Sequence, residues 1–140
     1  MSNAHRFFWL AQQAFGGLLY FWQITLVLVI LAGIASSYNF PFTPSRFCKK
    51  HLLVFSPFLS SVLILLVGVF MAHRGSPQNA PKLPGTLLSI FFLLQFPVGA
   101  AVIYRLKDYR WFAASIFLLA LWVCMMCSFM AGMSVSNDWI

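Results

Sequence analysis

"AFGGLLYFWQITLVLVILAGIAS", residues 14–36, contains no charged side chain. A helix needs about 20 consecutive apolar residues to cross about 30 Å of hydrocarbon, so this stretch is long enough to span a bilayer. Three further stretches meet the same condition: "HLLVFSPFLSSVLILLVGVFMA" at 51–72, then 85–104 and 111–134. The predicted fold is therefore all-α, an integral membrane up-down-up-down four-helix bundle, with residues 1–140 forming a single domain. The short connection "RLKDYR" (105–110) makes the third and fourth spans antiparallel neighbours, while Pro41, Pro44, Pro77, Pro81 and Pro84 punctuate the two longer connections.

Composition supports this reading. The chain is 61% hydrophobic and 8% charged, whereas soluble domains carry about 25% charged residues. Four spans use most of 140 residues and leave no room for a folded water-soluble domain. The first apolar run lacks a strongly basic leader, so it is expected to be retained rather than cleaved as a signal peptide. Ahead of it, "HRFFWLAQQAF" (5–15) reads either as an interfacial segment ending at Gly16-Gly17 or as an extension of the first helix.

The net charge of +7 comes from nine Lys and Arg against two acids. These cations sit at span ends, where they set topology and meet anionic lipid headgroups; no basic domain exists to bind nucleic acid. Arg46, Lys49, Lys50, Arg105, Lys107 and Arg110 lie on one side, against Arg6, Arg74 and Lys82 on the other. The positive-inside rule then places the first group in the cytoplasm and both termini outside, in a plasma (inner) membrane. Tyr38, Tyr104, Tyr109 and Trp111 fit an aromatic belt at the cytoplasmic side.

The stretch "VCMMCSFMAGM" (123–133) holds Cys124-x-x-Cys127. Reactive pairs of this kind sit at helix N-termini, where free amides stabilise a thiolate, but this pair lies more than three turns beyond Trp111. A disulfide between cysteines three apart inside a helix would be strained. At four-residue steps the same helix reads Ala120, Cys124, Ser128, Gly132, Ser136, with Cys127 and Ala131 alongside. Such small residues let membrane helices approach closely, so the expected role is a helix-packing face. Met126, Met130 and Met133 fall opposite with Leu119 and Trp122. A Cu(I) site would need thiolate and thioether to converge, and only Cys127 and Met130 are neighbours across the two rows. No metal or other cofactor is therefore expected.

His51 and His73 bound one span about 33 Å apart and cannot share a ligand. His5 and His73 share a predicted side and are the one histidine pair within reach, a candidate for a metal or quinone headgroup. No acid, lysine or arginine lies at mid-depth, where proton relays need one. The intramembrane polar and kink residues are Gln23, Pro57, Ser60, Gln95 and Pro97. Proline frees the carbonyl four residues earlier, Leu53 for Pro57 and Leu93 for Pro97. Gln23 is the expected partner of the freed carbonyl, facing Gln95 inside the bundle. Lining a shared cavity instead, the two glutamines would mark a ligand path.

This inventory contains no catalytic dyad, haem-attachment motif or phosphate loop. The leading expectation is a non-catalytic accessory or structural subunit that stabilises a larger membrane complex, packing against lipids, other integral membrane subunits or further copies of itself. The second is an oligomeric carrier or pore for a small neutral or apolar molecule, and the third a membrane redox or metal-binding enzyme.

Overall fold

The computed structural model describes residues 3–39, 53–73 and 81–137. All elements among these residues are helical: α1 (Asn3–Tyr20), α2 (Trp22–Asn39), a 3₁₀ turn (Leu53–Phe55), α3 (Pro57–Phe70), α4 (Lys82–Arg105), a 3₁₀ turn (Lys107–Tyr109) and α5 (Arg110–Ser136). Leu53–Phe70, Lys82–Arg105 and Arg110–Ser136 are each long and apolar enough to cross a membrane, and α1 with α2 make a fourth candidate only if counted as one bent span.

The first predicted span is not a single helix. Its chain bends by 86° between α1 and α2, and the break falls at Phe21 rather than at Gly16-Gly17. Composition changes there: α1 carries Asn3, His5, Arg6, Gln12 and Gln13, while α2 is apolar on all sides from Leu26 to Ala35. A bend strips backbone carbonyls of their helical partners, which hydrocarbon cannot replace. The Thr25 hydroxyl donates to the Leu18 carbonyl at 2.9 Å across the break. Trp122 Nε1–H of α5 in turn donates to Thr25 Oγ1 at 3.1 Å, and Phe21 meets the Trp122 ring edge-on at 6.0 Å. The corner is thus latched to α5.

Pro57 does not kink a helix interior. It occupies the first turn of α3, where its missing N–H breaks no helical bond. The Leu53 carbonyl predicted to be freed accepts the Ser56 N–H at 3.1 Å in the preceding 3₁₀ turn. Likewise α4 starts at Lys82, ahead of the predicted Gly85, because Pro84 is tolerated in a first turn. Pro97 lies inside α4, as expected.

The helices are organised around α5, which packs against each of the other four. Its contact with α3 is the most extensive, and α3, α4 and α5 pack pairwise. One core cluster joins Leu10 and Ala14 of α1 to Ile64, Leu65 and Val69 of α3, Leu88 of α4, and Cys124, Cys127, Ala131 and Val135 of α5. The second, at the other end of α5, joins Ala32, Val54, Val102, Leu106, Ala113 and Ile116. Leu10, Gly68 and Ala131 meet at one point: a Cβ added to Gly68 would lie 2.8 Å from Ala131 Cβ and 3.4 Å from Leu10 Cδ1. The end of α3 is then tied to α5 by Ser134 Oγ–H donating to the Gly68 carbonyl at 2.8 Å and the His73 N–H donating to the Ser134 carbonyl at 3.1 Å. At the C-terminus Asn137 takes the left-handed conformation at φ 57° that ends α5.

Candidate functional site

Two features stand out: a groove between α4 and α5 with small residues on each wall among larger apolar ones, and a small, largely apolar cavity between α3 and α4 beside the buried Gln95. The predicted packing face of α5 divides between the helix interior and the groove. Ala120, Cys124, Cys127 and Ala131 are buried, whereas Ser128, Gly132 and Ser136 are only partly so. A four-residue step advances 400° and overshoots a 3.6-residue turn by about 40°, so a ladder of such steps rotates off the face where it began. The buried line mixes steps of three and four: Ala113, Ile116, Ala120, Cys124, Cys127, Ala131, Ser134. Gly132 is therefore not in close contact inside the chain, and a Cβ added there meets nothing within 4 Å.

Ser128 and Gly132 instead line a groove of about 680 Å³, whose opposite wall includes Gly85 and Ser89 of α4. Gly85 is equally open to an added Cβ. The close approaches occur at glycines that small-residue steps do not single out. A Cβ on Gly68 would strike Ala131, and one on Gly99 would strike the Phe117 ring. Ser134, whose hydroxyl joins α5 to α3, was not among the expected site residues either; its signal is a polar side chain on the line one heptad beyond Cys127.

The far side of α5 is also covered. Met126 is buried, and a Cβ on Gly17 of α1 would approach its sulfur to 3.2 Å. Cys124 and Cys127 are free thiols. Ser60, Ser61 and Ser128 surround the Cys124 thiol.

Beside the cavity between α3 and α4 lies Gln95, which is 1% exposed. Its Nε2–H donates to the Pro57 carbonyl at 3.3 Å, and Ser60 Oγ–H donates to the same carbonyl. Gln23 is exposed near the start of α2, so the expected face-to-face pairing of Gln23 and Gln95 does not form. Its place is taken by a backbone carbonyl in the first turn of α3. Ser56, Ser60 and Gln95 line a cavity of about 160 Å³ with Pro57, Leu59, Leu63, Leu94 and Val98.

His5 is exposed on α1, and His73 is partly buried beyond α3. No group of three or more His, Cys, Asp or Glu side chains is placed to hold a metal among the described residues. Of the predicted headgroup contacts, Arg105, Lys107 and Arg110 are exposed around the α4–α5 turn, with Lys107 Nζ 5.8 Å from the centre of the Tyr104 ring. Tyr38, Tyr104 and Trp111 are exposed. Arg46, Lys49, Lys50, His51 and Arg74 lie outside the described residues. Compared with protein-family models, curated proteins and solved structures, the chain gives no match.

Proposed function

We propose that this protein is a non-catalytic integral membrane subunit that acts by helix association in the bilayer, with other integral membrane subunits or with further copies of itself. The observation that carries this reading is the α4–α5 groove. Gly85 and Gly132 leave room that none of the described residues occupies, while Gly68 and Gly99 supply the close approaches that internal packing uses. Helices in lipid associate through close backbone approach, and a groove with small residues on both walls offers it to an outside helix. The exposed apolar surface of α2 is available to lipid or protein, with Ile24, Leu26, Val27, Val29, Ile30 and Ile34 all outward. The placement of basic residues supports a plasma (inner) membrane location with the Arg105–Arg110 turn cytoplasmic.

The test is gentle extraction and native mass spectrometry of wild type beside Gly132→Leu. A defined oligomer or complex is expected in wild type, and the substitution is expected to reduce it at least about tenfold by filling the groove. A monomer in both, or an assembly indifferent to Gly132→Leu and Ser89→Leu, would defeat the proposal. A carrier would need Gln23 and Gln95 to line one polar cavity, and only Gln95 borders the small, largely apolar one between α3 and α4.

A further inference from the structure

A second groove lies between α2 and α5, at the end of the molecule that carries the α4–α5 turn. Its volume is about 480 Å³, and its lining comes from two short faces: Leu31, Ile34, Ala35 and Tyr38 of α2 against Trp111 and Ser115 of α5. Steps of three and four keep the α2 residues on one helix face, and Trp111 and Ser115 stand one turn apart on the facing helix. From Leu31 to Tyr38 the groove runs about 10 Å along α2, about a third of the hydrocarbon depth. Its inner part is apolar at Leu31, Ile34 and Ala35, and the Ser115 hydroxyl is satisfied by donating to the Trp111 carbonyl at 2.8 Å. Its mouth is aromatic: Tyr38 is 86% and Trp111 80% exposed, and each side chain carries one hydrogen-bond donor.

We infer that this groove holds an acyl chain of an anionic phospholipid, with the lipid phosphate at the basic turn beside its mouth. Charge complementarity selects this occupant. Arg110 is the residue next to Trp111, and Arg105, Lys107 and Arg110 are all exposed. Three cations against one acid, Asp108, leave the 105–110 turn with a net charge of +2. Phosphate is the group that Arg meets with its planar fork and Lys as a point charge. Helix α5 begins at Arg110 without a side-chain cap, so the positive end of its dipole adds to the same field.

The order of groups along the groove is that of a phospholipid. Basic turn, then Tyr38 with Trp111, then Leu31, Ile34 and Ala35 follow one another, as phosphate, glycerol ester and hydrocarbon do in the lipid. Tyr38 and Trp111 stand at the ester level, where their donors meet acceptor oxygens and their rings meet the start of the chain. A free phosphate ion would use the cations alone and leave the apolar length empty. A neutral lipid would fill that length and leave the cations without a counter-charge. The groove lies at the opposite end of α5 from Ser128 and Gly132, so the assignment does not rest on the association reading.

The probes are phosphatidylglycerol and phosphatidylcholine with identical chains, each carrying a diazirine near the glycerol end of one chain. Each is added as a minor component to the full chain in phosphatidylcholine vesicles, irradiated, and mapped by tandem mass spectrometry. At low salt, phosphatidylglycerol is expected to label residues 31–38 and 111–115 about fivefold more than phosphatidylcholine does, the factor that one cation near the surface contributes. The exposed Phe96, Ala100 and Ala101 of α4 serve as the bulk-lipid reference and should show less than about half that preference. Salt at about 1 M should bring the two lipids near parity in the groove. Lys107→Gln combined with Arg110→Gln should do the same at low salt. Ser115→Leu, which fills the groove and removes no charge, should lower labelling by both lipids, with all variants checked for wild-type thermal stability. Equal labelling by the two lipids, the same preference on α4 as in the groove, or a preference that survives the double substitution would overturn the assignment. So would labelling indifferent to Ser115→Leu, or a groove that neither lipid labels because a protein segment fills it.

Discussion

Gly68 and Gly132 are each a small residue in an apolar helix, yet their surroundings differ. A Cβ on Gly68 would lie 2.9 Å from Ala131 Cα, so the obstacle is backbone and α3 must move away from α5. Gly68→Ala is expected to destabilise by about 1–3 kcal/mol, the usual range for overpacking. Gly85→Ala meets nothing within 4 Å and should be neutral or gain up to about 1 kcal/mol from helix propensity. Unfolding titrations in mixed micelles of both variants check the pair; equal effects would mean that the α3–α5 approach is not close. Cys124 and Cys127 yield a second prediction. Both are buried in the α5 core, so a water-soluble maleimide should label them at least about a hundredfold more slowly in the intact protein than after denaturation in SDS. Peptide mapping separates them from Cys48. Rapid labelling of the folded chain would return the pair to consideration as a reactive site.

At the scale of elements, α1 is the piece whose role the bend decides. If α2 runs across the bilayer, a segment turned by 86° must run along it. Leu10 meets Gly68 and Ala131 about one turn inside the ends of α3 and α5, which is interfacial depth. The flanks of α1 agree with this placement. Phe8, Phe15 and Leu19 are exposed within one arc of about 40° around the helix, with the exposed His5 and Gln12 at its edge and Gln13 about 140° away. This is the pattern of a helix lying at the membrane surface. A cysteine introduced at Gln13 is therefore expected to react readily with a membrane-impermeant maleimide, and cysteines at Phe8 and Phe15 to be protected. Uniform protection along α1 would instead place it within the hydrocarbon. The four apolar runs are legible as sequence, but the break inside the first is not. Phe21 carries no breaker signal, and Thr25 and Trp122, which stabilise the corner, are 97 positions apart.

For the whole molecule, α1 and the end of α5 lie together through Leu10 and Ala131, so the two termini share one end. In the proposed topology, which rests on the distribution of basic residues, that end is non-cytoplasmic. Alkaline phosphatase fused after Ile140 should therefore be active in a bacterial inner membrane, and green fluorescent protein at the same site dark; the reverse result would invert the topology. The sequence by itself determined the helical class, the apolar runs and the absence of charge at mid-depth. Transfer into lipid is close to additive over residues, and each side chain declares its own preference. Only the tertiary structure decided which faces meet. It set Gly68 rather than Gly132 against Ala131, Gln95 against the Pro57 carbonyl rather than Gln23, and α1 across the helices rather than in line with α2. The physical reason is that lipid tails and a protein interior are equally apolar. In water a helix records its buried side as a periodic contrast, whereas in a membrane that contrast disappears and contact is chosen by shape and by a few hydrogen bonds.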